Sequence, residues 1–418
     1  MKRVLMVAFH FPPLAGSSGI QRTLRFVRHL PSFGWQPLIL TATLGAYDRI
    51  SSDLDTEIPP GLVVRRALAF DAARQLSLGG RYAGFLARPD RWMTWRFDAA
   101  RVGSRMIHEW GPDALWSTYP IATAHLVADR LHRKFRLPWI ADFRDPMAQE
   151  GYPADHKTWH EFKRIEAEVH ENAAFSVFTT PGAAQEYRKR YPASADSIRV
   201  IENGYDEESF AAGEAEARGA GPLHPGAVTL LHSGIVYPSE RDPTQLMGAL
   251  GRLRREGAID AGSLRIRFRA AVHEDLLAQL ARRFGIEDLV ETLPAIPYRE
   301  ALVEMLRADG LLILQASNCN QQIPAKLYEY FRARRPLLVL TDPAGDTARV
   351  SLDAGIARVA RLDSAEEISE LILAFLRHPA MRGGLMPSDT AVRGASRKGR
   401  AEALADLLEQ AAAPPVRR

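Results

Sequence analysis

The strongest constraint on this fold is a rhythm. Short apolar runs of β-type composition alternate with segments of helical periodicity along nearly the whole 418-residue chain. In the first half the runs fall at 4–9, 37–41, 62–65, 114–117, 139–142, 175–179 and 199–202, with helical patterns at 21–33, 99–109, 123–134 and 158–172. Residues 211–226 break the rhythm with alanine, glycine and proline and no hydrophobic face, so they are expected to be an exposed linker. The alternation restarts with runs at 228–233, 264–269, 311–315, 337–340 and 357–359, and helical patterns at 244–255, 274–283, 298–308, 325–333 and 365–377. The expected fold class is therefore α/β, with two successive doubly wound, Rossmann-like domains facing across a cleft. The predicted division is 1–210, a linker over 211–226, a second domain over 227–385, and a tail over 386–418 whose amphipathic stretch 398–411 could pack back on the first domain.

Composition removes several function classes. A net charge of only +4 is too weak for a nucleic-acid binder, although it suits phosphate-bearing small molecules. The single Cys319 excludes an internal disulfide framework. The apolar run at the amino terminus is about six residues, short of the roughly 7–15 of a signal-peptide core, and no stretch approaches the ~18 apolar residues of a membrane span. A cytoplasmic location is expected.

The first run is followed by Gly16-Ser17-Ser18-Gly19 and a helix. Glycines let a backbone approach a ligand, and the helix start offers N–H groups to an anion, so these four residues are donor-binding candidates. The spacing is not Gly-x-Gly-x-x-Gly, and no acidic residue follows the second run, where Thr41-Ala42-Thr43 stands. Both departures argue against a nicotinamide cofactor.

Seven of the 54 basic residues are lysines, leaving 47 arginines, and Lys326 is the one lysine between Lys189 and Lys398. It stands in Asn320-Gln321-Gln322-Ile323-Pro324-Ala325-Lys326, after an apolar strand and in the first turn of a helix that Pro324 opens. Glu329 lies one turn on, on the same face. A compact ammonium for phosphates and a carboxylate for a ribose diol fit a nucleoside diphosphate. The spacing alone equally fits a surface ion pair.

At this segment the sequence resembles the retaining GT-B glycosyltransferases of family 4, and within them a bacterial branch acting on cell-surface saccharides. The resemblance is carried by Phe9-His-Phe-Pro-Pro with Gly16-Ser-Ser-Gly19, Arg25-Phe26, Leu30 with Gly34-Trp35, Ala141-Asp-Phe-Arg-Asp-Pro146, Ile201-Glu-Asn-Gly-Tyr-Asp206 and Pro324-Ala-Lys-Leu-Tyr-Glu-Tyr330. It implies that Glu329 binds the donor ribose, while the position usually held by a second acidic residue is Gln321. It also implies a diphosphate-holding pair after the first strand of the second domain, where Gly234 is present, Arg241 fits the lysine position and Ile235 replaces the usual arginine. Lys326 would supply the second cation. Gln321, Gln322, Ile323 and Pro324 complete the donor-binding set. His125 matches a histidine near the sugar in relatives, and is as consistent with a structural histidine. Asp142, Arg144 and Asp145 follow a strand at its carboxyl end and are cleft candidates, with Arg144 able to pair with either aspartate.

The resemblance implies metal-independent transfer with retention, His125, Arg241 and Lys326 carrying the chemistry, and no cofactor beyond the nucleotide-sugar substrate. The expected partners are a nucleoside diphosphate sugar and a saccharide or lipid-linked acceptor, with no nucleic acid. The cation–aromatic segment Arg81-Tyr82, Phe85, Arg88, Arg91-Trp92 and Trp95-Arg96 suits either a lipid headgroup, and so peripheral contact at the inner membrane face, or rings packed on the first sheet. A nucleotide-sugar epimerase and a catalytically silent nucleotide-sugar binder are the alternatives.

Overall fold

Each apolar run of the first half becomes a strand of one parallel sheet in the computed structural model, which describes residues 1–15, 18–77, 79 and 81–413. The strands are β1 (Lys2–Val7), β2 (Trp35–Ala42), β3 (Val63–Ala67), β4 (Ala114–Thr118), β5 (Trp139–Arg144), β6 (Phe175–Phe178) and β7 (Ile198–Val200), ordered β3-β2-β1-β4-β5-β6-β7. The strand order reverses between β1 and β4, where open α/β sheets bind ligands beyond the carboxyl ends of their strands. The period-two alternation of β1 sends Val4 and Met6 to one apolar layer and Leu5 and Val7 to the other. Helices cover both faces, which is why the strands read as continuous apolar runs. One face carries helix Ser18–His29 and the distant helix Arg397–Ala412, through Leu24, Val27, Leu404 and Leu408. The other carries Trp95–Trp110, Thr123–Phe135 and His156–Asn172, through Met106, Val127, Leu131 and Ile165.

The second sheet contains β8 (Val228–Ser233), β9 (Leu264–Arg269), β10 (Val290–Leu293), β11 (Gly310–Gln315) and β12 (Leu337–Thr341), all parallel, in the order β10-β9-β8-β11-β12. Its reversal lies between β8 and β11. The close approach of these strands needs Gly310, where a Cβ would sit 2.7 Å from a methyl carbon of Leu230.

The chain divides into two compact units, one of Met1–Glu202 with the residues from Arg397 onward, the other of Asn203–Ser396. Three expectations need correction. The first part of the expected linker, 211–217, belongs to a helix, Glu207–Ala217, and the division falls earlier, between Glu202 and Asn203. That helix is capped by Asp206, buries Phe210, and is pinned by Arg332, which pairs with Glu207 and Glu214 at 2.6 Å each. The run at 357–359 forms no strand; only a single bridge joins Leu340 and Ala360. Strand β10 was not anticipated, because Val-Glu-Thr-Leu at a sheet edge carries too little apolar signal.

Candidate active site

In the second unit, the loops that leave the two strands flanking the reversal meet at Lys326. Strand β8 ends at Ser233 and turns at Gly234, whose φ of +126° is a conformation open mainly to glycine. A Cβ there would lie 2.5 Å from Lys326 Nζ, so the ammonium rests directly against the bare backbone. Strand β11 leads through a polar loop to helix Lys326–Ala333, which places Lys326 at the first helical position and Glu329 in the first turn. Ser233 N–H donates to Tyr330 Oη at 2.9 Å, and Ala316 N–H donates to Glu240 C=O at 2.7 Å, so helix, loop and strand end hold one another.

Electrostatics around Lys326 are set by a neighbouring guanidinium, a carboxylate and a neutral imidazole. Its Nζ donates to His232 Nε2 at 3.3 Å. His232 is buried, and its Nδ1 lies 3.0 Å from Leu312 C=O, which can only accept. Nδ1 therefore carries the proton and Nε2 offers its lone pair to the ammonium. Burial, and then the charge of Lys326, hold the His232 pKa well below its ordinary value, so the imidazole is a neutral support. The Lys326 pKa is brought down to about 7 by burial and by the Arg241 guanidinium, against the pull of Glu329. Arg241 donates to Ile235 C=O at 2.8 Å and lies 5.1 Å from the Tyr237 ring, while its buried Nε has no hydrogen-bond partner. Two cations thus converge with little local neutralisation, an arrangement that a diphosphate would relieve.

Around this pair the remaining donor-side candidates take distinct positions. Glu329 accepts a hydrogen bond from Tyr298 Oη at 2.8 Å, which orients the carboxylate. Gln321 and Gln322 are exposed, Ile323 is half-buried, and Pro324 is buried at the helix entrance. The Gln322 carbonyl accepts from Thr347 Oγ1 at 3.1 Å, which fixes the loop. Sequence reasoning gave no role to His232 or Tyr298. His232 adjoins Gly234 in the phosphate-holding stretch, but only the pairing of β8 with β11 shows what it supports.

The first unit treats its candidates differently. Gly16 and Ser17 lie outside the described residues, and Ser18 and Gly19 open helix Ser18–His29. Asp142 is fully buried and bound by Arg22 through two bonds of 2.8 and 2.9 Å, with Thr118 Oγ1 adding a third at 3.2 Å. The expected pairing with Arg144 does not occur; Asp142 instead ties helix Ser18–His29 and the end of β4 to β5. Asp145 adjoins Thr179, whose Oγ1 lies 3.4 Å from its Oδ1. Arg144 has a left-handed backbone, φ 63°, at a bulge in β5.

His125 also needs correction. It is fully buried among Trp139 and Phe143, with Nδ1 2.8 Å from Ser117 Oγ, which accepts from Trp139 Nε1 at 2.8 Å. Burial brings its pKa down to about 3. It is a neutral core histidine, out of reach of a substrate.

The Arg22–Asp142 pair makes a testable statement about the fold. Asp142→Ala leaves a desolvated guanidinium and is expected to lower stability by about 3–5 kcal/mol, read as a shift in the urea midpoint. Replacing both partners, Arg22→Met with Asp142→Leu, should recover most of that loss; an equally damaged double variant would show that the pair has a further role.

In the cation–aromatic segment, Trp95 is buried and Trp92 packs 4.8 Å from Phe9, as expected of core rings. Tyr82, Phe85 and Phe97 remain exposed, at 42%, 65% and 59%.

Residues 18–204 match the family model described as the glycosyl transferase 4-like domain. Among solved structures the chain is similar to an α,α-trehalose 6-phosphate synthase from Burkholderia multivorans, at 14% identity and a TM-score of 0.64, covering all of both chains. It is similar to Anabaena HepE in complex with UDP, at 13% identity and a TM-score of 0.63, over 98% of this chain and 100% of that one. A sucrose-phosphate synthase from Thermosynechococcus elongatus shows 14% identity and a TM-score of 0.61, over 98% and 99%. No curated protein matches the chain. Two doubly wound parallel units in this arrangement of strands are the GT-B fold. Within that fold, residues 18–204 carry the match to the glycosyl transferase 4-like domain.

Proposed function

We propose that the chain transfers a glycosyl group from a nucleoside diphosphate sugar to a saccharide or lipid-linked acceptor, with retention of anomeric configuration and without a metal. The observation that carries this reading is the contact of Lys326 Nζ with the bare backbone at Gly234, beside Arg241, where the strand order of the second sheet reverses. In this reading Arg241 and Lys326 neutralise the diphosphate as it departs, and preorganised charge of this kind is often the largest single contribution to such a step. Glu329, steadied by Tyr298, takes the ribose diol. The acceptor hydroxyl attacks on the face the diphosphate leaves, so no covalent nucleophile is needed. Support for the donor class comes from the HepE structures with UDP and with UDP-glucose. Neither the epimerase nor the silent-binder alternative is favoured by a feature of the site.

Among the described residues no helix is long and apolar enough to cross a membrane. The exposed rings of Tyr82, Phe85 and Phe97, close in sequence to Arg81, Arg88 and Arg96, support peripheral contact at the inner membrane face from the cytoplasm.

The reading is tested with a panel of nucleotide sugars. At least one should raise the melting temperature of the full chain, and the transferred sugar should keep the donor's anomeric configuration by proton NMR. A product of opposite configuration would remove the retention; no stabilisation by any member of the panel would remove the donor site.

A further inference from the structure

Arg144 stands out because its charge has so little to do. A guanidinium offers five N–H donors. Among the described residues the one hydrogen bond from this side chain is a long one, 3.4 Å from Nη1 to Tyr119 C=O, and Nε is buried with no partner. No carboxylate lies within ion-pairing distance among the described residues: both oxygens of Asp142 are taken by Arg22 and Thr118, and Asp145 acts on Arg144 only at longer range. Buried polar groups without partners are rare in folded proteins and call for an explanation.

The backbone adds a second, independent observation. Arg144 holds φ 63°, a conformation that strains a long L side chain, and it does so at a bulge where the register of β5 against β6 shifts. Thr179 fixes the strained peptide twice, its N–H and Oγ1 donating to Arg144 C=O at 2.9 and 2.8 Å. The bulge re-aims the side chain at the carboxyl end of β5, beside Tyr119 at the end of β4 and within electrostatic reach of His10 after β1. These are the strand ends around the order reversal of the first sheet. His10 adds no charge there, since burial and the neighbouring Arg144 bring its pKa down to about 4. Arg144 is half-buried, and the charges that act on it do so without pairing: burial disfavours its charge, Asp145 and Asp142 favour it, and Arg22 opposes it.

We infer that Arg144 is an acceptor-recognition residue, holding an oxyanion carried by the acceptor sugar through the bidentate geometry that guanidinium offers to phosphate and carboxylate alike. The inference rests on the transferase reading, because that reading commits Arg241 and Lys326 of the other unit to the donor diphosphate. It goes beyond that reading by making the acceptor acidic. The oxyanion can be a sugar phosphate or a uronate carboxylate, and the two are separated experimentally.

The experiment uses the full chain saturated with UDP and measures binding of glucose, glucose 6-phosphate and glucuronate by isothermal titration. At least one anionic sugar should bind tenfold or more tighter than glucose, and which one does so identifies the oxyanion. Arg144→Gln, which keeps much of the side-chain stem without the charge, should erase the margin, and Arg144→Lys, with charge but no fork, should keep part of it. UDP binding should be unchanged in both variants. Equal binding of the three sugars, binding of none, or a margin that survives in Arg144→Gln overturns the inference while leaving the donor site intact. A weakened UDP affinity in Arg144→Gln also overturns it, by assigning the residue to the donor. If wild-type protein does not bind UDP, the transferase reading itself fails.

Discussion

Replacing Lys326 with methionine is expected to lower kcat for transfer on the order of a thousandfold, the range seen when one preorganised charge-stabilising donor is removed. Methionine keeps the unbranched stem and deletes only the ammonium, so the loss reads the charge rather than the packing. The lowered pKa supplies two further checks of opposite sign. In the unliganded protein Lys326 titrates near 7, against about 10.4 in the unfolded chain. Between those values the unfolded state binds a proton that the folded state has shed, so wild-type stability should rise with pH relative to Lys326→Met, and the difference should be flat below about 7. A bound diphosphate restores the proton. Affinity for a nucleotide sugar should therefore fall as pH rises above 7, by up to about tenfold per pH unit, and stay level below it. Lys326→Met should show neither slope. Urea unfolding and calorimetric titration across pH 6–9 measure both; a flat wild-type profile in each would mean that Lys326 keeps an ordinary pKa in the free protein, and the loss of kcat in Lys326→Met would then be the remaining test of its contact with the phosphates.

The sequence made this half of the site legible for a physical reason. Lysine is scarce in an arginine-rich chain, so its placement in a first helical turn after an apolar strand carries information. Strands and helices were readable for the same kind of reason, since parallel sheets covered on both faces leave unbroken apolar runs. What remained hidden depends on contacts distant in the chain. His232 supports Lys326 only because Leu312 fixes its tautomer, and β8 and β11 are adjacent in space but not in sequence. The helix Glu207–Ala217 was obscured by its alanines and glycine, and its charged partner Arg332 lies more than a hundred residues away. His125 shows the converse. A matching residue type near a helix start suggested chemistry, while its burial against Trp139 and Phe143 settles it as core. Arg144 was found as one of three charges within four residues, and only its missing partners separate it from Asp142.

Gly234→Ala is expected to reduce kcat/KM for the donor on the order of a hundredfold, although it adds a single methyl group. Two costs combine. At φ +126° an L side chain strains the backbone by roughly 1–3 kcal/mol, and the new Cβ would lie 2.5 Å from Lys326 Nζ and 3.2 Å from Cε. The lysine tip is the movable party, so it swings out and the ammonium leaves its position beside Arg241 and His232. A double-mutant cycle separates the two costs. In a Lys326→Met background there is no ammonium to displace, so adding Gly234→Ala should lower activity by only a few-fold while still lowering the melting temperature. If the alanine costs the same hundredfold with and without the lysine, then Gly234 acts on the nucleotide through its own backbone, and the partnership between the glycine and the ammonium is not what sets the rate.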